Sequence, residues 1–278
     1  MTRDARRTLV LGALGIAAIV TVVLALDPGA ATRTDLPSRL AGPGAAGWLG
    51  RDGLGRDVLA RLALGARVSF GVAATVVTIS LAVGVVLGAT AALAGGWTDL
   101  VIARVIDVVL AFPGLLLAIA LAAVRGPGIG NVVLALSVLG WTTYARLTRA
   151  EVARLRHMPF VEAARALGIG PLGLVVRHVL PLAAPALLVQ ATFGLSGAIV
   201  AEASLSFLGL GVPPPTPSWG GMLDEGRQFL LVAPHLVLAP GIALAATVLA
   251  FQLFGDGLRD WLDVRADPRL RLGSGMER

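Results

Sequence analysis

A chain of 278 residues that is 56% hydrophobic, only 14% charged and of mean hydropathy +0.83 lies far from soluble domains, where charged residues make up about a quarter. It reads as an all-α polytopic membrane protein. With no cysteine and with arginine supplying all 23 basic residues, the sequence excludes disulfides, thiolate chemistry, a P-loop lysine and Schiff-base catalysis. ATP hydrolysis at a P-loop within this chain is therefore excluded. The net charge of +6 does not point to nucleic acid, because the arginines sit at the ends of apolar runs, where membrane topology accounts for them.

In chain order, Arg3, Arg6 and Arg7 precede an uncharged apolar run at 8–26. That run exceeds the roughly 7–15 apolar residues of a signal peptide and can cross about 30 Å of hydrocarbon as a helix. Ala30-Ala31 marks where the competing reading would place a cleavage site. Residues 27–67 are hydrophilic and rich in Pro, Gly and Arg. Within them Asp57 and Arg61 have the i, i+4 spacing of a helical ion pair, beside apolar Val58, Leu59 and Leu62. This suits an interfacial helix or a solvated loop with a short helix.

A second span is predicted at 68–94, followed by a turn at Gly95-Gly96 with an interfacial Trp97. The third, at about 100–124, carries Arg104 and Asp107 in its first turns and Pro113 inside it, so a kink is expected. The fourth, 131–145, is barely long enough. Arg146, Arg149, Arg154, Arg156, Arg165 and Arg177 then fall in one loop, which the positive-inside rule assigns to the cytoplasm. An inside amino terminus gives the required parity.

Within that loop Pro159 can open a short helix, Gly168 and Gly170 can end it, and Pro171 can open a second. Leu172, Val175, Val176 and Val179 fall at i, i+3, i+4 and i+7 and so share one face; Pro181 marks the expected end. Such a hairpin suits a groove on another protein, although an interfacial loop helix has the same pattern. The fifth span follows to about 210, with Pro185 near its start and Glu202 as its one acidic residue. A carboxyl group at membrane depth suggests function, but near the end of a span it can reach water or an arginine. Residues 212–233 form an outside loop stiffened by Pro213-Pro214-Pro215, and a sixth span at 234–254, broken by Pro240-Gly241, leads to a charged tail. His157, His178 and His235 lie in separate segments, so no metal site is expected.

Glu162-Ala163-Ala164, three residues, Gly168, nine residues, then His178-Val179-Leu180-Pro181 resembles the EAA loop of permease subunits in ABC importers. Three further segments resemble the dipeptide, oligopeptide and nickel branch of that family. These are Asp52 with Gly55-Arg56-Asp57-Val58-Leu59, the run from Glu202 through Gly211 to Ser218-Trp219-Gly220, and Asp256-Gly257-Leu258-Arg259-Asp260. The likeness covers about residues 48–268; Leu182-Ala183-Ala184-Pro185 departs from the Asn-Ala-small-Pro expected after Pro181.

The resemblance implies a type I ABC importer permease-like fold with six transmembrane helices in a bacterial inner membrane, both termini cytoplasmic. It divides the chain into 1–67 (first span and outside segment), 68–255 (five-span core with the coupling loop at 146–181) and 256–278 (tail). It implies that Glu162, Ala163, Ala164, Gly168, Arg177, His178, Leu180 and Pro181 couple to an ATPase; Asp107, Pro113 and Glu202, singled out by charge or proline within a span, are candidates for the pathway or the structure. Asp52, Gly55, Arg56 and Asp57 are the outside signature. The implied partners are a second permease chain, two ATPase subunits or domains carrying the ATP and Mg, an extracytoplasmic solute-binding protein and the bilayer. The implied cargo is a di- or oligopeptide, with nickel or another small solute as the alternative. A secondary transporter or channel should instead show charged groups in several spans or paired broken helices, and a membrane enzyme should show a catalytic cluster.

Overall fold

Long uncharged runs become long helices wherever a cap starts them and a proline or glycine stops them. The computed structural model describes residues 3–266 except 27, 45 and 46, so most of the predicted charged tail lies outside the described residues. Its helices are α1 (Arg3–Ala25), α2 (Val58–Ala94), α3 (Gly96–Leu110), α4 (Gly114–Arg125), α5 (Ile129–Leu155), α6 (Pro159–Ala166), α7 (Pro171–Leu174), α8 (Leu180–Phe207), α9 (Trp219–Arg227) and α10 (His235–Ala266). No strand occurs among the described residues.

The boundaries differ from expectation in four places, each for a local reason. Asp57 is the N-cap of α2, accepting the Ala60 N–H at 2.9 Å, so 58–67 is the first part of the second span rather than a separate interfacial helix. The kink at Pro113 is a full break. Proline cannot donate to the preceding turn and its ring collides with it, and α3 and α4 meet at 83°. α5 continues ten residues past the expected end of the fourth span, carrying Arg146, Arg149 and Arg154 on a helix rather than in a loop. Finally, Pro181 does not end the helix before it: α7 runs through a π segment, Val175–Val179, into α8 without interruption. A π segment widens the ladder just where proline supplies no N–H, which lets the chain remain helical.

Among the described residues, four helices, or helices continuous through the π segment, are long and apolar enough to cross a membrane, and the bent α3–α4 pair makes a fifth candidate. The six expected spans are not all met by this measure: α5 falls short because Asn131, Ser137, Thr142 and Thr143 are interspersed among its apolar residues ahead of Arg146.

Packing relies on small residues. Lipid is as apolar as the helices, so close van der Waals contact replaces the hydrophobic effect as the force between them. Ser80, Gly84 and Gly88 recur every fourth residue on α2 and face Gly140, Tyr144, Ala145 and Thr148 on α5. A Cβ on Gly84 would lie 2.5 Å from Tyr144 Cβ and 2.7 Å from the Trp141 carbonyl oxygen. α1 packs along α10 in the same way, with Gly12 against the Phe254 backbone. The far end of α1 is tied to α2 by Arg67, whose guanidinium donates to the carbonyls of Val23 (2.6 Å) and Leu26 (3.2 Å). α8 lies between α2, α5 and α10.

Gly84→Val should therefore lower the thermal midpoint of the detergent-solubilised protein by the equivalent of more than about 2 kcal/mol. Gly71→Val, on the same helix where a Cβ meets nothing within 4 Å, should leave it unchanged. Equal midpoints for the two variants would show that the α2–α5 contact is loose.

Candidate functional site

Three clusters gather the sequence-predicted residues. The first is the hairpin formed by α6, α7 and the π segment. α6 ends in a Schellman motif: Ile169 N–H donates to Ala164 O at 3.1 Å, Gly168 N–H donates to Arg165 O at 2.9 Å, and Gly168 has φ +83°. Val161, Ala164, Leu174, Val175 and Val179 are buried against Ala89 and Ala92 of α2 and Val152 and Leu155 of α5. The apolar face predicted for 172–179 is thus split. Val175 and Val179 turn inward, while Leu172 and Val176 point out and join Phe160 and Leu167 as an exposed apolar patch. Glu162, Ala163, Gly168, Arg177 and Pro181 are exposed, and His178 and Leu180 are half-buried, with His178 Nδ1 unpaired among the described residues.

The second cluster holds Asp52, Gly55, Arg56 and Asp57. Asp52 Oδ1 accepts the N–H groups of Leu54 and Arg56, both at 2.8 Å; its Oδ2 accepts Arg56 Nε at 2.6 Å and also Arg61 Nη1. Glu225 on α9 completes the cluster, accepting Arg56 Nη2 at 2.9 Å and Arg61 through Nη1 and Nη2 at 2.8 and 3.0 Å. Arg61 is only 2% exposed. The Arg61–Asp57 pair expected from spacing is absent: Asp57 caps α2 and lies 3.7 Å from Arg51. Gly55 has φ +75°, and a Cβ there would overlap the Asp35 carbonyl. Trp219 fastens α9 to α2, donating from Nε1 to Leu62 O at 2.9 Å and packing edge-on against Phe70. A cavity of about 320 Å³ lies beside this network. Burial pushes the Asp52 carboxyl up, but the Arg56 N–H and the Arg61 guanidinium outweigh it and hold the group below its usual 3.8.

Sequence reasoning missed Arg61 and Glu225 as partners and α9 altogether. The available signal was Ser218, which caps α9 by accepting the Gly221 N–H at 3.2 Å ahead of a run containing Asp224 and Glu225.

The third cluster corrects the expectation for Glu202, which reaches neither water nor an arginine. It is wholly buried, accepting Ser69 Oγ of α2 and Ser206 Oγ of its own helix, each at 2.7 Å. Ser206 Oγ in turn accepts the Val212 N–H at 3.3 Å, so one carboxyl group ties α2, α8 and the following turn together. A cavity of about 580 Å³ lies between α2, the α3–α4 break, α5 and α8, with Pro113, Ser80, Tyr144 and Gln190 on its walls. Glu202 and Asp107 are not on those walls; Asp107 is exposed, 3.8 Å from Arg104.

The helical scaffold thus carries the packed hairpin at one end and the ion-paired cap at the other. The fold matches a chain of the MetNI methionine ABC transporter, in inward-facing conformations, with a TM-score of 0.57 at 18% identity, over 73% of this chain and 94% of that one. Residues 84–268 match the model of the family described as binding-protein-dependent transport system inner membrane component, and this chain belongs to that family. Similar relatives include the glutathione transport system permease protein GsiD of Pectobacterium atrosepticum, 43% identical over 80% of this chain and 74% of the relative. GsiD of Escherichia coli O157:H7 is 45% identical over 80% and 73%. The dipeptide transport system permease protein DppC of Alkalihalophilus pseudofirmus is 43% identical over 83% and 76%. The chain is a multi-pass transport permease.

Asp52→Asn leaves Arg61 buried beside a lost charge and should cost about 3 kcal/mol. Glu225→Gln, at a side chain 39% exposed, should cost about 1 kcal/mol. Because the folded Asp52 value is depressed, its contribution is complete above the ordinary carboxylate range and is lost as pH falls through the lowered value. Thermal midpoints of wild type and Asp52→Asn should thus differ by the same amount at pH 5 and pH 7, and converge in stronger acid.

Proposed function

We propose that this chain forms half of the translocation pathway of an ATP-driven importer for di- or oligopeptides, coupled to its ATPase through the 159–181 hairpin. The observation that carries the reading is the outward apolar patch of Phe160, Leu167, Leu172 and Val176 on a hairpin that is helically continuous with α8. An apolar helix face of this kind fits a groove, and continuity with a span turns a push on the hairpin into movement of the membrane helix. Glu162, Ala163 and Arg177 lie on the exposed side with the patch, Ala164 seats α6 on the core, and Gly168 fixes the turn.

In this reading α3 and α4 together make one crossing and α5 another, its arginine-bearing end emerging at the cytoplasmic face, so that six crossings place both termini inside. The cavity at the α3–α4 break, with uncharged Ser80, Tyr144 and Gln190, lines the path. The core remains 68–255 functionally, although α2 begins ten residues earlier. A second permease, two ATPase subunits binding ATP and Mg, and an outside solute-binding protein complete the machine. Likeness to glutathione and dipeptide permeases supports peptides as cargo over nickel or another small solute.

The test is purification of the tagged chain with its associated subunits from native membranes, with ATPase activity and uptake of labelled dipeptide and glutathione measured in the same strain. Leu172→Glu should release the ATPase and reduce uptake at least tenfold without changing the thermal midpoint, since Leu172 is 75% exposed. Gly168→Asp, which forces a side chain into a left-handed position, should likewise release the ATPase and reduce uptake, with the thermal midpoint lowered by the equivalent of about 1–2 kcal/mol. Retention of the ATPase by both variants would refute the docking role, and nickel uptake without peptide uptake would replace the cargo.

A further inference from the structure

Where α2 ends, the Gly95-Gly96 turn and the start of α3 meet the last turns of α5 around a cleft of about 440 Å³. Arg146, Arg149 and Arg156 line it together with one carboxylate, Asp99. Arg149 is occupied, donating from Nε and Nη2 to the two Asp99 oxygens at 2.5 and 2.6 Å. Arg156 is half occupied: Nη1 donates to the Ala92 carbonyl at 2.8 Å, and Nε lies 2.9 Å from His157 Nε2. Arg146 is exposed and makes no hydrogen bond or ion pair among the described residues. One carboxylate against three guanidiniums leaves the cleft positive, with unspent donors on Arg146, Arg149 Nη1 and Arg156 Nη2. Planar guanidinium forks match phosphate oxygens in pairs.

A free anion would need only those forks, yet exposed apolar residues flank Asp99 in the chain. Trp97, next in the chain to the cleft-lining Gly96, is 81% exposed, and Leu100 and Val101 behind it on α3 are 46% and 55% exposed. In a membrane chain an exposed tryptophan marks headgroup depth, and exposed aliphatic residues along the same helix meet acyl chains. Basic pockets between membrane helices are established sites for anionic headgroups.

We propose that this cleft binds the phosphodiester headgroup of an anionic phospholipid, with Arg146 and Arg156 holding the phosphate and the acyl chains lying along the exposed side of α3. The inference rests on the chain lying in a bilayer, not on its cargo or on its coupling hairpin.

The experiment is lipid titration of the purified complex in neutral detergent, read by native mass spectrometry, with phosphatidylglycerol and phosphatidylcholine as probes. Phosphatidylglycerol should bind more tightly, and Arg146→Ala should weaken it about fivefold, the effect of removing one arginine beside a charged headgroup. Arg146→Lys should retain more of the affinity than Arg146→Ala. Arg104→Ala, which removes the same charge from α3 outside the cleft, should have little effect. The thermal midpoint of Arg146→Ala in phosphatidylcholine should equal that of wild type, separating lost binding from lost folding. Equal affinity for the two lipids, an equal loss in Arg104→Ala, or no loss in Arg146→Ala would overturn the proposal. Displacement of phosphatidylglycerol by millimolar inorganic phosphate would reassign the cleft to a soluble anion and overturn the lipid assignment.

Discussion

The small-residue contact between α2 and α5 is the constraint on which the rest depends. In hydrocarbon two helices gain little by hiding apolar surface from each other, so they remain together only if their backbones approach closely. Ser80, Gly84 and Gly88 allow that approach, and α2 then carries the other parts. Its capped start holds Arg61 toward Asp52 and Glu225, its upper half presents Ser69 to Glu202, and its last turns form the floor on which the hairpin sits. A shift of α2 against α5 would disturb all three clusters together.

α8 is the second long member. From Pro171 to Phe207 it is one helical path of 37 residues, about 55 Å at 1.5 Å per residue. One end is the hairpin; the other is Glu202 and Ser206, which fix α8 to α2 and to the turn leading toward α9. The buried carboxyl group thus serves as a fastening between helices. That role fits its position off the walls of the central cavity, where Ser80, Tyr144 and Gln190 stand among mostly apolar neighbours such as Val76, Leu110 and Phe112.

What the sequence made legible was local. Runs of apolar residues located the long helices, and Pro159, Gly168 and Pro171 located the hairpin's short helices. What it concealed was pairwise and distant. Arg61 has a well-spaced neighbour in Asp57, and only the fold brings it to Glu225, 164 residues away, while Asp57 is used as a cap. The arginines after residue 145 read as the start of a loop because hydropathy reports polarity, and a polar stretch can remain helical when its other face packs, as Val152 and Leu155 do. Pro181 read as a stop because its effect in an α-helix is known, whereas a preceding π segment has no sequence signature.

That π segment also determines how the hairpin is aimed. Each residue of an α-helix turns the chain by about 100°, and a π turn inserts one residue's worth of slack into the ladder. The stretch Val175–Val179 therefore acts as a phase shifter between two otherwise rigid pieces. Without it the hairpin would be rotated by about 100° about the α8 axis, and Leu172 would no longer stand away from the core that Val175 and Val179 enter. The direction in which the exposed face of the hairpin points is thus set by five residues of hydrogen-bond register together with the floor of α2 and α5 on which the hairpin sits.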